Sequence, residues 1–407
     1  MKKIELLAPA GDLEKLKIAV LYGADAVYFG GELFSLRSGA GNLTIDEIKE
    51  GVAFAHERGA KAYMAMNIYA HNEDIEPLRE YLAKIKDIDI DAFIVSDPGV
   101  IMLIREAIPD AEIHLSTQAN MTNVVTAKFW QQQGVKRIVL ARELTFKEIT
   151  QLHQEMPDLD IEAFVHGAMC ISYSGRCLLS NFMIERDANR GACAHPCRWK
   201  YSLVEEQRPG EYFPVEEDGR GTYILNSRDL CMIEHIPQLI EAGIGSAKIE
   251  GRMKSIFYVA TIVSAYRRAI DAYYADPENY EFDPQWMAEL KKVSHREFTT
   301  GFYFDKPTNK DQNYQTSAYT RDYSFVGLVK SYDEATGYAI VEQRNKMSIG
   351  EEIEVFGPYT DFYKQTLTEM YDYETGEPVE SAPHPQQVLK IKMDKPVKPD
   401  FMLRKKK

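Results

Sequence analysis

A regular alternation of short apolar runs with segments of helical periodicity constrains the fold most strongly. Eight apolar runs have the length of β-strands, at residues 4–8, 26–30, 62–66, 92–95, 112–116, 137–141, 161–165 and 246–250. Segments of helical period separate them, among them 13–22 and 45–58. This alternation predicts an α/β fold with parallel strands joined by helices. Eight units favour a TIM-type (β/α)8 barrel over an open doubly wound sheet, and no Gly-x-Gly-x-x-Gly motif opens a helix.

Polar residues follow most of the predicted strands. In a TIM barrel the carboxyl ends of the strands carry the site. The positions there are Asp12, Glu32, Asn67, Ser96, Asp97, Gln118, Arg142, Glu143, His166, Lys248, Glu250 and Arg252. Each acidic residue has an alternative interpretation as a helix cap or a structural ion pair. Arg142, His166 and Arg252 are better candidates, because they follow strands six, seven and eight around one very long loop.

That loop, between the seventh and eighth predicted strands, contains all five cysteines. It spans roughly 80 residues, whereas βα connections usually take roughly two to six. Four of its thiols lie close together in the sequence, at Cys170, Cys177, Cys193 and Cys197. Such clustering indicates a metal centre rather than core packing. The spacings differ from the two-residue gap commonest in zinc fingers, and a 4Fe–4S cluster fits them at least as well.

Cys231 lies apart from the other four cysteines, at the start of a segment that looks helical. It is predicted to pack as a small apolar residue. The alternative is that Cys231 is the fourth ligand and that Cys197 is spare. The sequence leaves both interpretations open.

The charge and the apolar pattern limit the classes of partner. A formal net charge of -14 argues against broad coating of nucleic acid, which needs a dense positive surface. A local basic group beside the cysteines, at Arg186, Arg190, Arg198 and Lys200, predicts an RNA-binding face, with a solvated loop as the alternative. The basic end, 404–407, reads as a solubilising tail or a second basic surface. No apolar run approaches the roughly 20 residues of a membrane span, so we expect a cytoplasmic protein without membrane contact.

The sequence pattern changes towards the end of the chain, from alternating strands and helices to a polar linker and then to strands alone. A long amphipathic helix is predicted at 256–275 and closes the barrel domain, 1–304, whose iron–sulfur insertion spans about 167–232. A polar linker follows at 305–322. Strand-like alternation with Gly-containing turns then predicts a small all-β barrel at 323–407. By fold-level analogy with the β-barrel of translation factors it would contact tRNA, and a stabilising or dimerising module is an equal alternative.

One segment carries a specific resemblance. Residues Glu162 to Ser180 resemble the complete signature of peptidase family U32, the collagenase-like peptidases, and the similarity extends through Lys248 to Ser255. Cys-Ala-His-Pro-Cys-Arg-Trp and Asn-Ser-Arg-Asp-Leu look most like the branch that forms 5-hydroxyuridine at the tRNA wobble position. The resemblance implies a prephenate-dependent, oxygen-independent hydroxylase. It also implies tRNA as substrate and a 4Fe–4S cluster, with Cys170, Cys177, Cys193 and Cys197 as its ligands.

Further roles follow from position and not from the resemblance. Arg142, Lys248 and Arg252 are predicted to hold the two carboxylates of prephenate, because guanidinium and ammonium groups bind carboxylates well. His166 is predicted to exchange a proton with the reacting base. The alternatives are a hydroxylase of another RNA base, a peptidase using His166 and Cys170, and a zinc-bearing RNA-binding scaffold. The need for a paralogous subunit or a second copy of the chain stays open.

Overall fold

The computed structural model describes residues 3–35, 42–169, 228–305 and 319–407, together with a few positions between Cys177 and Pro214. The first sheet and the insertion contain β1 Glu5–Pro9, β2 Ala26–Phe29, β3 Lys61–Ala65, β4 Ala92–Val95, β5 Ile113–Leu115, β6 Arg137–Val139, β7 Asp160–Ala168, β8 Ser202–Leu203, β9 Phe213–Pro214, β10 Asp229–Cys231, β11 Ser246–Ile249 and β12 Phe298–Thr299. Strands β1 to β7 pair in chain order, and β11 pairs in parallel with both β1 and β7. The predicted TIM-type barrel is therefore confirmed.

Helices follow the barrel strands, and several of them begin with a capping side chain. They are α1 Leu13–Leu21, α2 Ile45–His56, α3 Ile75–Ile85, α4 Pro98–Ala107, α5 Val124–Gln132, α6 Phe146–Glu155, α7 Leu179–Ile184, α8 Ile236–Glu241, α9 Ile256–Ala275 and α10 Pro284–Leu290. Helices α2 and α6 begin with full capping boxes, Thr44 with Glu47 and Thr145 with Glu148. Helix α9 has the bounds predicted from its periodicity. None of the helices in the described part of the chain combines the length and apolar character that a membrane span requires.

The lower part of the barrel interior is filled by a network of paired charges. Arg137 donates hydrogen bonds to Glu5, Asp160 and Glu162, and its side chain is 5% exposed. Lys248 completes the network, with its Nζ 2.6 Å from a carboxylate oxygen of Glu162. Buried charges are tolerated when they are paired in this way. The network supports the barrel beneath its open, carboxyl end.

The helix-like segment predicted to begin at Cys231 begins two residues later, with a 3-10 turn at Ile233–His235. Residues Asp229–Cys231 form β10, which runs antiparallel to the end of β7, with Cys231 opposite His166. Helix α8 begins only at Ile236. Pairing with β7 overrides the weak local preference, because a short segment gains more from a ladder with an existing strand than from an isolated turn.

The C-terminal region forms a separate antiparallel sheet with its own core. Its strands are β13 Tyr323–Asp333, β14 Tyr338–Gln343, β15 Met347–Ser348, β16 Glu352–Phe356, β17 Tyr363–Thr366, β18 Met370–Asp372, β19 Ser381–Ala382, β20 Val388–Lys392 and β21 Met402–Lys406. The main sheet has the order β17-β16-β21-β13-β14-β20-β18 and curls around buried Val341, Leu389 and Leu403. The predicted all-β barrel is confirmed as a half-barrel.

The interpretation of the chain end as a solubilising tail is wrong for Arg404. Its side chain is fully buried in β21 and pairs with Glu289 of α10 and Glu354 of β16. Only Lys406 and Lys407 are exposed. The final basic residues are thus partly structural, since a strand alternates buried and exposed positions.

Candidate functional site

Arg142 lies at the carboxyl end of the barrel, in the connection after β6. Its Nη1 donates to the carbonyl oxygen of Ala168, 2.6 Å away, and its guanidinium lies over the ring of Phe164 at 3.9 Å. Its Nη2 is 4.0 Å from a carboxylate oxygen of Glu250. Among the described residues, the buried Nε has no hydrogen-bond partner. Arg142 therefore supports the last residue of β7, where the cysteine segment begins, and keeps a donor for another group.

Arg252 follows β11 on the same end of the barrel and is 4% exposed. It donates from Nη1 to Ser35 Oγ at 2.8 Å and from Nη2 to Asn42 Oδ1 at 2.6 Å. These contacts join the loop after β11 to the loop after β2. The preceding Glu250 also approaches Tyr28, whose hydroxyl is 3.5 Å from its carboxylate.

Lys248 lies deeper than the two arginines. Its ammonium is paired with Glu162, as described above, and sits 4.4 Å from the centre of the Tyr28 ring. Its side chain is 5% exposed. The structure thus brings Arg142 and Glu250 together at the opening and places Lys248 beneath them, in the charged interior of the barrel.

His166 faces the outer helix layer rather than the barrel opening. Strand β7 carries an extra residue, Val165, between its pairings with Lys248 and Ile249, so its side-chain alternation shifts there. The ring of His166 packs against Tyr266 and Phe298, and its Nδ1 is 3.4 Å from the Tyr266 hydroxyl. Burial lowers the pKa of His166 to about 3, and Lys254 and His295 add to this effect. The imidazole is neutral at physiological pH.

The described part of the cysteine segment fits a metal-binding role. Cys177 is half-buried, and its sulfur accepts a hydrogen bond from the backbone N–H of Leu179 at 3.4 Å. Such N–H···S contacts are typical around cluster thiolates. Ser180 Oγ accepts from the backbone N–H of Ala194 at 3.1 Å, which brings the Cys177 region next to the residue that follows Cys193. Two described residues, one from each half of the sequence motif, are thus in contact.

Several predicted site residues lie outside the described part of the chain. They are Cys170, Cys193, Cys197, Arg190, Arg198 and Lys200. Arg186 is described, and it is exposed, with its backbone N–H donating to Ser180. No group of three or more metal-binding side chains occurs among the residues that the structure does describe. The ligand set and the basic face stay predictions.

Cys231 has the surroundings of a core residue. It is 6% exposed, and the Tyr266 hydroxyl is 3.9 Å from its sulfur. Burial raises the pKa of the thiol to about 12, so it stays protonated at physiological pH. These surroundings favour the packing interpretation over the ligand interpretation.

Two features of the opening have weak signals in the sequence. The first is Glu143, whose carboxyl pKa is raised by burial beside Arg142. The second is a layer of neutral polar side chains that follow β3, β4 and β5. Ser116 belongs to this layer, although the sequence pattern makes Ser116 look like an ordinary strand residue. The signal for Ser116 is the two-residue alternation of β5, which places it on the same interior face as His114 when the alternation is continued past the strand. Tyr266 had no such signal, because its contacts depend on how α9 packs against the barrel.

Two domains of one known protein family match most of the chain. Residues 11–313 match the description "Peptidase family U32", and residues 321–404 match "Peptidase family U32 C-terminal domain". The chain belongs to peptidase family U32. The barrel and its cysteine segment thus correspond to the main family domain, and the half-barrel corresponds to the domain that accompanies it.

Three relatives of this U32 chain have names that describe RNA hydroxylation. The chain is 47% identical over 406 residues to "tRNA hydroxylation protein P1" of Bacillus subtilis, covering 100% of this chain and 96% of the relative. It is 39% identical over 398 residues to "tRNA hydroxylation protein P" of Escherichia coli, covering 88% and 87%. It is 40% identical over 270 residues to a 23S rRNA 5-hydroxycytidine synthase of Escherichia coli, covering 66% and 40%.

Proposed function

We propose that this U32 chain is a tRNA-modifying hydroxylase that converts the wobble uridine to 5-hydroxyuridine, without molecular oxygen and with prephenate as co-substrate. The observation that carries this proposal is the 47% identity to a tRNA hydroxylation protein over the whole length of the chain. The similarity to an rRNA 5-hydroxycytidine synthase supports a shared chemistry at a pyrimidine base. The wobble position and prephenate come from the sequence resemblance and are part of the proposal.

A 4Fe–4S cluster held by Cys170, Cys177, Cys193 and Cys197 belongs to the same proposal. The hydrogen bond to the Cys177 sulfur and the contact between Ser180 and Ala194 support it. When bound, such a cluster supplies one-electron chemistry that side chains lack. The protein's own part is to hold the segment in place, and Arg142 does so through the carbonyl of Ala168.

The prephenate carboxylates are assigned to Arg142 and Arg252. Both guanidinium groups lie at the barrel opening, and the Arg142 Nε is a buried donor without a partner among the described residues. A bound carboxylate would satisfy it with a charge-assisted hydrogen bond. Lys248 is the weaker candidate of the three, because its ammonium already neutralises Glu162.

Proton exchange with the base has two candidate groups. His166 is the candidate predicted from its position, but burial lowers its pKa to about 3 and aromatic side chains enclose its ring, so it is a weak proton acceptor. Glu143 is half-buried next to Arg142. Burial raises the pKa of its carboxyl towards neutral pH, as a general acid or base requires. We expect Glu143 to contribute more, because it lies at the opening.

The function is tested by comparing tRNA nucleosides from cells with and without the gene, using mass spectrometry. Loss of 5-hydroxyuridine on deletion, restored by the gene, is the expected result. Unchanged tRNA with loss of a hydroxylated rRNA nucleoside would favour hydroxylation of another RNA base. Unchanged nucleosides in both RNAs would favour the peptidase or the zinc-bearing scaffold.

The cluster is tested by iron content. Protein purified without oxygen should contain about four irons per chain. Serine at Cys170, Cys177, Cys193 or Cys197 should abolish iron binding, and Cys231→Ser is the matched control that should retain it. Loss of iron in the Cys231 variant together with retention in the Cys197 variant would reverse the ligand assignment.

A further inference from the structure

The barrel opening has a neutral half and a charged half. Arg142, Glu250 and Arg252 lie on the side of β6, β7 and β11. On the opposite side, the register places uncharged side chains, Asn67, Ser96 and Ser116, on the interior face after β3, β4 and β5. The carboxylate of Asp97, which also follows β4, caps α4 instead. The proposed prephenate and proton-transfer roles use only the charged half.

The register of the strands places these three side chains on the interior face. Tyr63 of β3 reaches the interior network through its hydrogen bond to Glu5, and its ring packs against His114 of β5 at 4.8 Å. Tyr63 is beside Ala92, and Ile94 is beside His114. Steps of two residues from these positions lead to Asn67, Ser96 and Ser116.

Contacts between these residues support this placement. The Asn67 amide Nδ2 lies 3.5 Å from Ser116 Oγ, across the intervening β4. Ser116 Oγ donates to the side-chain oxygen of Gln118 at 3.3 Å, and Gln118 is itself buried. The backbone hydrogen bonds between β4 and β5 extend as far as Ser116, since its N–H donates to the carbonyl of Val95. Asn67 and Ser116 are thus in contact, and the strand register places Ser96 at the same level, so the three residues define one polar layer at the top of the barrel.

Ser96 indicates that this layer binds something. It is 8% exposed, and its Oγ has no hydrogen-bond partner among the described residues. A buried hydroxyl without a partner is costly and calls for an explanation, such as a water or a ligand. Asn67 and Ser116 are neutral, and the neighbouring Asp97 carboxylate accepts from the N–H groups of Gly99 and Val100. The missing partner should therefore be a neutral group that both donates and accepts hydrogen bonds.

We infer that Asn67, Ser96 and Ser116 form the subsite that recognises the Watson–Crick edge of the target uracil, an inference that rests on the proposed function. The uracil edge is neutral and presents acceptor, donor and acceptor in a row. An asparagine amide can donate to one carbonyl and accept from the ring N–H beside it, while a serine hydroxyl donates to the other carbonyl. Enzymes that modify a base read its edge in this way after extruding it into a pocket.

The same geometry disfavours cytosine. Cytosine presents an amino donor where uracil has a carbonyl acceptor. Ser116 Oγ donates to Gln118 and accepts from Asn67 Nδ2, which holds the Asn67 amide in one orientation. In that orientation the amide donor faces the amino donor of cytosine. A buried mismatch of this kind leaves two polar groups unpaired, which is costly. The neutral half thus selects the base, and the charged half holds the co-substrate.

The test is binding of full-length, cluster-loaded protein to anticodon stem–loop RNAs that carry uridine or cytidine at the wobble position. The unmodified protein should prefer the uridine RNA. In Asn67→Asp a carboxylate replaces the amide donor and can accept from the cytosine amino group, so the preference should fall by about ten-fold or more. Ser96→Ala removes one hydroxyl and should weaken binding of the uridine RNA by about ten-fold.

Asn123→Asp is the matched control, because it adds the same charge after β5 at a helix cap where Asp and Asn are equivalent. It should leave the preference unchanged. Equal weakening of both RNAs in Asn67→Asp and Ser96→Ala would overturn the inference and make the layer structural. Retention of 5-hydroxyuridine in the gene-deletion strain would instead overturn the proposed function, and the subsite with it.

Discussion

At the scale of single residues, the two arginines of the barrel opening have different surroundings. Arg142 donates to the carbonyl of Ala168 and lies near the Glu250 carboxylate, whereas Arg252 donates to the side-chain oxygens of Ser35 and Asn42. Both are well placed for a carboxylate, which the planar guanidinium binds more specifically than an ammonium does. Prephenate binding should therefore weaken even when either arginine is replaced by lysine.

Arg142→Lys and Arg252→Lys should each raise the prephenate concentration needed for half-maximal nucleoside yield by about ten-fold, because one charge-assisted hydrogen bond is lost. The measurement is yield against prephenate concentration in a reconstituted reaction. Arg79→Lys, on the exposed face of α3, is the control. An unchanged dependence on prephenate would remove these arginines from the site, and loss of iron would make them structural supports.

His166 predicts a pH dependence of stability. Its folded-state pKa, about 3, lies below the ordinary value of 6.5, so the unfolded chain binds this proton more tightly. The stability from the neutral ring is complete above pH 6.5 and is lost as the pH falls towards 3, at a limiting slope of about 1.4 kcal/mol per pH unit. Lys254, His295 and the Tyr258 and Tyr266 rings face this group.

Replacing His166 with Gln should reduce the drop in unfolding free energy between pH 7 and pH 5 by about 2 kcal/mol. The measurement is urea unfolding at both pH values. His384→Gln, on an exposed loop of the C-terminal sheet, controls for loss of a histidine. The same drop in His166→Gln as in the unmodified protein would show that the ring is not buried in its neutral form.

At the scale of elements, the irregularity of β7 is held in place by α9. The Tyr266 hydroxyl donates to the carbonyl of Val165, the extra residue of β7, at 2.8 Å, and accepts from the Met232 N–H at 3.1 Å. One side chain thus joins α9, β7 and the segment after β10. The contact lies at the position where β7 shifts its alternation, close to the end of the strand.

Tyr266→Phe should lower the free energy of unfolding by about 1 to 3 kcal/mol, because it leaves buried backbone groups with fewer partners. Urea unfolding measures this change. Tyr373→Phe removes an exposed hydroxyl and should change stability by less than about 0.5 kcal/mol. Equal stability of the two variants would show that the hydroxyl contributes nothing at the irregular position.

At the scale of the whole molecule, the barrel and the half-barrel share an interface of aromatic rings and buried charges. Phe257 of α9 stacks on Phe325 of β13, with ring centres 5.6 Å apart. Arg404 bridges Glu289 of the barrel domain and Glu354 of the half-barrel, and Lys292 contacts both carboxylates. These contacts fix the half-barrel against α9 and α10.

Arg404→Met should destabilise the protein by about 3 to 5 kcal/mol, because it leaves Glu354 buried with only Lys292 as a charged partner. The measurements are urea unfolding and the rate of proteolysis between the two domains. Lys406→Met, exposed on the same strand, is the control. Adding Glu354→Leu should recover part of the loss, and a double variant no more stable than Arg404→Met would exclude the unpaired carboxylate as its cause.

The sequence by itself determined the elements whose signals are local. The eight barrel strands and α9 at 256–275 follow from periodicity and caps. The prediction of a metal-binding motif, which rests on the clustering of thiols in one loop, stays a prediction. Period and spacing are properties of neighbouring residues, so they can be read along the chain. The resemblance to U32 proteins came from one such stretch and agrees with the match over residues 11–313.

Only the tertiary structure decided which side chains meet. Arg252 contacts Ser35 and Asn42 more than 200 positions away, Lys248 pairs with Glu162, and the chain-terminal Arg404 is buried against α10. The segment at Cys231 became a strand because β7 was there to pair with it. Closure of the barrel and docking of the half-barrel fix these partners, and no local pattern encodes a distance between residues so far apart in the sequence.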